Sequence, residues 1–313
     1  MARSGTKDFS ITRNDIINAA LRKIGEWDSG ESPSGPEVAD AAQALNLLVK
    51  QFTAAGAEIW LQKEITLFLQ DGQKSYLLGP TGDNVTESYV ETALTDGEPG
   101  TETSIVVDSI TGILDGDYIG IMQDDDSIHW DTVNGTPAGS TVTITNGLAS
   151  VAAAGNKVYA YTTKAFRPAK LIFCNTRDNN DYDTQVDLIG EIEYRTLSLK
   201  GSSGRPDQVW YQPTLDNGTL YVWPVVPGST VNKLIISAQY YPDDFDVASN
   251  NPDFPIEWGN ALIWGLANEL APEYQVDLRQ QSAIAQRAVN HLNEALDFDV
   301  ENASIILGAE LRP

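Results

Sequence analysis

The residues able to do covalent or acid–base chemistry are few and widely spaced. One cysteine, Cys174, and two histidines, His129 and His291, stand among 313 residues. Cys174 closes the apolar run Leu171-Ile172-Phe173 and reads as a buried strand residue. A thiol reacts through its thiolate, and no histidine lies near in sequence to stabilise one. A single cysteine rules out a disulfide framework within the chain, and the short supply of Cys and His argues against structural zinc. Gly201-Ser202-Ser203-Gly204 lacks the spacing of a G-x-S-x-G nucleophile elbow. A Ser-His-acid triad would have to use His129, beside Trp130, or His291, inside a helical pattern; both read as structural or exposed. Asp124-Asp125-Asp126 and the stretch Asp178–Asp187 are rich in oxygen ligands. Neither places the glycine and the closing glutamate of a calcium loop, so both read as solvated acidic loops. With 44 acidic residues, a carboxylate pair for glycoside hydrolysis is easy to nominate. Trp60, Trp130, Trp210, Trp223, Trp258 and Trp264 could line a sugar-binding face, but such rings more often anchor a core or an interface. The expectation is a protein without catalytic, metal or cofactor site, which acts by fitting against other proteins.

Charge narrows the choice of partners. The chain carries a net −24, and the charge is concentrated. Residues 81–163 hold thirteen acids against the single base Lys157, a net of −12, and residues 242–313 hold thirteen acids against three bases, a net of −10. Tight nucleic-acid binding through counterion release requires clustered Lys and Arg, which these stretches lack. Such surfaces suit solubility, or a wall that a polyanion passes without sticking. The longest apolar stretches, such as Ala261–Ala267, fall far short of the roughly 20 residues of a membrane span, so no membrane anchor is expected. The opening Met-Ala-Arg-Ser-Gly-Thr-Lys-Asp has no apolar core behind its charges, and the expectation is a protein made in a cytoplasm.

The elements that would position any site follow from periodicity. Ile16, Ile17, Ala20, Leu21 and Ile24 share one helical face, with Gly25 as a stop. Ser34-Gly35-Pro36-Glu37 opens a second helix whose stripe runs from Val38 to Phe52, and the two helices make a hairpin. Ile59–Leu69 and Ser75–Leu78 read as strands joined at Asp71-Gly72, a hairpin signal. Residues 81–163 show short strand-like runs between Gly, Asp, Asn and Pro, the spacing of a small β-sandwich or barrel inserted into a host fold. The host resumes with strands at 169–173, 187–199, 207–213, 219–225 and 233–241. Asp216-Asn217-Gly218 marks a hairpin, and Lys200–Pro206 a longer mobile connection. Two helices follow an acidic loop, one starting at Pro255-Ile256-Glu257 and one capped by Asp277. The fold class is α+β: an N-terminal helical hairpin and two C-terminal helices packed with an antiparallel β region, plus the inserted β domain. Residues 1–80 and 164–313 form the core, 81–163 the insertion, and 300–313 an extended tail that is apolar for a terminus.

Two stretches carry a family resemblance. Ile16-Ile17-Asn18-Ala19-Ala20-Leu21-Arg22-Lys23-Ile24-Gly25-Glu26, followed by Ala41-Ala42-Gln43-Ala44-Leu45-Asn46, resembles the start of head-to-tail adaptor proteins of short-tailed phages, also called tail accessory or tail tubular proteins. Phe254-Pro255-Ile256-Glu257-Trp258-Gly259-Asn260-Ala261-Leu262, leading into Leu266-Ala267-Asn268-Glu269-Leu270-Ala271-Pro272-Glu273-Tyr274, is similar to that family's penultimate helix. The insertion departs from the shortest members. The resemblance implies a virion protein at the head-to-tail junction, a homo-oligomeric ring of roughly twelve copies below the portal protein. Such a ring extends the DNA channel, lets DNA pass without specific binding, and seats the tail nozzle. In the family the C-terminal segment clasps the portal. Here Ile305, Ile306, Leu307 and Leu311 are the portal-interface residues, with docking onto the chain's own sheet as the alternative. Lys200, Ser202, Ser203 and Arg205, in a Gly/Ser-rich loop with basic ends, are the interface toward nozzle and tail-fibre proteins, with a plain solvated loop as the alternative. The competing readings are a tail nozzle or other neck protein, or a carbohydrate-binding or cell-wall-degrading virion protein.

Overall fold

The computed structural model describes residues 10–25, 31–54, 61–227 and 231–298. The C-terminal residues Ile305, Ile306, Leu307 and Leu311 lie outside them, as do Ile59 and Trp60. The protein is α+β. Its elements begin with α1 (Arg13–Ile24), α2 (Gly35–Ala54), β1 (Gln62–Phe68), β2 (Ser75–Leu78) and β3 (Val85–Thr86). Next come β4 (Val90–Ala93), β5 (Ser104–Val106), β6 (Tyr118–Met122), β7 (Ile128–Thr132), β8 (Thr141–Thr143) and β9 (Lys157–Tyr161). Then follow β10 (Lys170–Asp178), β11 (Asp183–Gln185), β12 (Asp187–Leu188), α3 (Glu191–Thr196), β13 (Gln208–Gln212), β14 (Gly218–Trp223), β15 (Val231–Gln239), α4 (Gly259–Leu270) and α5 (Leu278–Phe298). The chain divides into two compact units, one of residues 1–61 and 241–313, the other of residues 62–240.

The first unit is helical. Thr12 and Asp15 form a capping box at the start of α1, and Gly25 ends it at φ +82°, a conformation that glycine adopts without a Cβ penalty. At α2 the Glu37 carboxylate accepts from the Ser34 amide at 2.7 Å. Asp277 opens α5 by accepting from the Arg279 amide at 3.0 Å. One core joins all four helices: Ile17 and Leu21 from α1, Leu45 and Phe52 from α2, Leu262 and Leu266 from α4, Ile284 from α5. α4 is buried on most of its circumference, which matches its near-continuous apolar sequence. At Gly265 a Cβ would stand 2.9 Å from a Leu48 methyl, so the missing side chain admits the α2 packing.

The second unit is built from sheets. The strand order β11-β10-β15-β1-β3 forms one sheet and β12-β13-β14-β2 another. Ile65, Leu67, Cys174, Leu234 and Ile236 of the first meet Tyr76, Leu78, Val209, Leu220 and Val222 of the second in one core. Between β3 and β10 the chain forms a four-stranded sheet, β4-β9-β6-β7, and the β5–β8 pair. These share a separate core that includes Ile105, Ile119, Ile121, Val142 and Val158. An aromatic cluster joins this insertion to the host: Phe68 of β1 packs against Tyr89, Trp130, Tyr159 and Tyr161 at ring-centre distances of 5.3, 5.0, 4.9 and 6.4 Å. Lys233, only 1% exposed, adds an ionic contact: its ammonium lies 3.2 Å from Glu91 and 3.7 Å from Asp181, and Glu91 also holds Lys157 at 2.6 Å.

Three local expectations change. Asp71-Gly72 does turn the chain, with Gly72 at φ +66°, but β1 and β2 are not paired. β1 pairs with β15 and β3, whereas β2 pairs with β14 in the opposite sheet. β1 is buried on both faces from Ile65 to Phe68, which places it inside a sheet, so the turn becomes a corner between layers. The stretch 187–199, expected as a strand, is the two-residue β12 and then α3. The α3 signal is Gly190-x-x-Glu193, whose carboxylate accepts from the Gly190 amide at 2.9 Å, with an Arg195–Glu191 pair one turn apart at 2.7 Å. The Lys200–Pro206 connection is pinned by hydrogen bonds rather than free, as its geometry shows below.

Candidate interaction surface

The residues that looked most able to react are held apart. Cys174 is buried in the sandwich core, and burial pushes its thiol well above the usual range. His129 lies on β7 opposite Ile121, and His291 lies on α5 with Nδ1 2.9 Å from Glu294. Asp124 and Asp125 are engaged in hydrogen bonds: Asp124 ties its loop to the 153–156 segment by accepting from the Ala153 amide at 2.8 Å, and Asp125 accepts locally from the Ser127 hydroxyl at 2.6 Å. Among the described residues no group of three or more His, Cys, Asp or Glu side chains is arranged to hold a metal ion. None of their helices is long and apolar enough to cross a membrane. The described tryptophans are packed rather than presented: Trp210, Trp258 and Trp264 are buried, and Trp130 and Trp223 half-buried.

A surface does emerge around the predicted loop. Alternation along β13 and β14 sends Val209, Leu220 and Val222 into the sandwich, and Trp210 and Tyr221 to the opposite face. Trp210 and Tyr221 stack at 4.6 Å and 12°. Tyr194 of α3 closes over both, at 5.5 Å from Trp210 and 5.2 Å from Tyr221. Burial, and then the neighbouring Tyr221, push the Tyr194 phenol above its ordinary pKa. Arg195 reaches over the Trp210 ring at 5.8 Å. The helix therefore docks by an aromatic anchor, and its other side is left outward: Ile192 is 79% exposed and Leu199, just beyond the helix, 65%.

The segment that follows is tied to this anchor. The Lys200 ammonium donates to the Tyr194 carbonyl and, at 2.8 Å, to the Leu197 carbonyl, and it stands 4.5 Å over the Tyr194 ring. It thereby caps the end of α3, where the Tyr194 carbonyl also accepts from the Leu197 amide at 3.3 Å. Trp223 Nε1 donates to the Leu199 carbonyl at 2.8 Å. The Val225 amide donates to the Ser202 carbonyl, and the Gly204 amide to the Val225 carbonyl, each at 2.9 Å, with Ser203 bridged to Val225. Arg205 Nε donates to Thr176 Oγ1 at 3.0 Å. So Lys200, Ser202, Ser203 and Arg205 are brought together at one edge of the sandwich. The two basic side chains make contacts within the fold, Ser203 and Arg205 stay exposed, and the neighbours Ile192 and Leu199 face outward beside them. Sequence reading missed them because it took 187–199 as a strand; the Gly-x-x-Glu box was the available signal.

The exposed Ile192 and Leu199 give this surface apolar area that can be buried against another protein. No family model matches the chain, and a search of curated proteins finds no match. Among solved structures, the Gp54 tailspike of Acinetobacter baumannii bacteriophage AP22, in complex with A. baumannii capsular saccharide, aligns at 17% identity with a TM-score of 0.23. The alignment covers 26% of this chain and 16% of the tailspike chain, a likeness too slight to carry the fold or a role over.

Proposed function

We propose that this protein is a structural component of a phage particle: the head-to-tail adaptor that forms a ring below the portal, prolongs the DNA channel and seats the tail nozzle. The observation that carries the reading is where the resemblance falls. Ile16–Glu26 and Ala41–Asn46 are separated by about two hundred residues of chain from Phe254–Tyr274, yet the described parts of all three contribute to one helical core. Ile17, Leu45, Trp258, Leu262 and Leu266 meet there. Two similar stretches brought together in one folded unit are better support than two similar stretches apart.

The other features serve the same role. The tail residues Ile305, Ile306, Leu307 and Leu311 supply apolar area for the portal, each worth roughly 1.5–3 kcal/mol when fully buried. A ring multiplies a modest contact through avidity. The α3 face, with Ile192 and Leu199 exposed beside the Lys200–Arg205 segment, is the contact for nozzle or fibre proteins. Acidic stretches spare the channel from gripping DNA, since a like-charged wall offers phosphates no counterion release.

Light scattering on the chain alone, and after mixing with the purified portal ring of the same phage, tests the reading. The expected result is a complex heavier than the portal by roughly twelve copies. No gain in mass at micromolar chain, with both partners folded, overturns it. A chain ending at Asn302 is expected to lose at least about tenfold in portal affinity; undiminished binding would move the portal contact away from Ile305–Leu311.

A further inference from the structure

We propose that Lys23, Arg287 and His291, gathered around Trp264, form a docking site for carboxylates from residues 81–163 of a second copy of this chain. The inference rests on the ring-forming reading above. Lys23 comes from the last turn of α1, Trp264 from the middle of α4, and Arg287 and His291 from successive turns of α5. The Lys23 ammonium lies 5.1 Å from the indole centre and the Arg287 guanidinium 4.9 Å, while the His291 ring stacks at 6.2 Å and 24°. Trp264 itself is buried, whereas Lys23 and Arg287 are exposed. Cations held over an aromatic face have surrendered rotamer freedom before a partner arrives, which lowers the cost of binding one.

The surrounding charges leave the cluster positive. Arg22 shares the last turn of α1, and Glu294 is hydrogen-bonded to His291. This is a positive patch in a chain of net −24. Copies of such a chain repel one another unless a positive patch meets a negative one. The complementary charge is present in the same chain. Residues 81–163 have thirteen acids and one base, and that base, Lys157, is already engaged by Glu91 at 2.6 Å. Asp96, Glu102, Asp108 and Asp126 are exposed carboxylates of that segment. A heterologous contact, one patch on one copy against a different patch on the next, is the kind that closes a ring.

The test uses the full chain. Equal amounts of ordinary and 15N-labelled protein are mixed at low salt, coupled with a zero-length carbodiimide and digested for mass spectrometry. Mixed-isotope crosslinks from Lys23 to an Asp or Glu of 81–163 are expected; their absence, or Lys23 crosslinks only to other segments, overturns the proposal. Sedimentation velocity then compares the wild type with Lys23→Glu/Arg287→Glu. A second pair, Lys23→Met/Arg287→Met, keeps apolar cover on Trp264 should the reversal unfold the helices. Self-association is expected to weaken by about tenfold or more in either pair, and reversing the crosslinked acid to Lys is expected to restore it in the Glu pair. Association unchanged in a folded pair overturns the site. A wild type that stays monomeric at every concentration also overturns it, while the portal mixing experiment decides the adaptor reading independently.

Discussion

At the scale of residues, Lys233 and Cys174 carry the clearest consequences. Lys233 sits on β15 with its ammonium against Glu91 and between the rings of Tyr89 and Tyr159, at 5.8 and 5.6 Å from their centres. Removing one partner of a buried pair costs more than replacing a charge by an apolar group of similar shape, because the remaining charge is left uncompensated. Glu91→Ala strands Lys233 with only the mostly exposed Asp181 at 3.7 Å. Glu91 itself is exposed, so solvent screens the pair and the loss is expected to be about 1–2 kcal/mol, whereas Lys233→Met, which leaves Glu91 its Lys157 partner, is expected to stay within about 0.5 kcal/mol. Urea titrations of the two variants check the order, and a reversed order would show that Lys233 acts through its aliphatic stem. Neither residue was singled out by sequence: a lysine within the strand pattern 233–241 carries no sign that the insertion will cover it. Cys174 was legible, because an apolar run around a lone thiol already implies a core position. Its native-state reaction with a disulfide reagent is expected to be negligible without denaturant and to follow unfolding as urea is added; prompt reaction in buffer would contradict its burial.

At the scale of elements, helix ends were legible and strand partners only in part: the hairpin read at Asp216-Asn217-Gly218 does pair β13 with β14, whereas the one read at Asp71-Gly72 does not form. A cap is a local event written in neighbouring residues, so Gly25, Glu37 and Asp277 mark ends that the structure keeps within a residue or two, while the Thr12 cap of α1 was not read from the sequence. Pairing is decided by burial on both faces, and the corner at Asp71-Gly72 turns on layers assembled from distant segments. The cap of α1 gives a pH dependence. Asp15 is held below its ordinary value of 3.8 first by the Thr12 hydroxyl and then by the Thr12 amide, both of which donate to it. A depressed folded-state value means that the ionised form stabilises the fold above the unfolded pKa and that this is lost as pH falls through the lower folded value. The site is exposed, and screening by water keeps the amount to about 0.5 kcal/mol. Asp15→Ala is therefore expected to be less stable than wild type at pH 7 by that amount, with the gap closing below pH 3.8. Urea midpoints at several pH values measure it; a gap of constant size would assign the loss to helix propensity.

At the scale of the whole molecule, the second unit behaves as a sandwich with a third layer added. The insertion has its own core, which on sequence spacing alone reads as a tethered module, but its contact with the host is an extensive one. Phe68 is 1% exposed only because Tyr89, Trp130, Tyr159 and Tyr161 cover it, and Asn232 Nδ2 donates to Tyr159 Oη at 3.0 Å beside the Lys233 lock. The chain leaves and re-enters the host at adjacent points: the Ala165 amide donates to the Val85 carbonyl at 2.8 Å, and Thr86 Oγ1 to the Thr163 carbonyl at 2.9 Å. A short Gly-Ser bridge from Thr86 to Thr163 can therefore close the host sheet without stretching it. Such a deletion is expected to cost the second unit about 3–5 kcal/mol, the burial of Phe68 plus the stranding of Lys233, and to aggregate through the bared face. Adding Phe68→Ser and Lys233→Thr to the deletion is expected to recover solubility, because the uncovered face then presents neither a large ring nor an unpaired buried charge. Denaturant unfolding and light scattering of the deletion, with and without the two changes, measure both effects. A deletion as stable and soluble as the full chain would make the insertion a tethered module, and the aromatic cluster a contact without energetic weight.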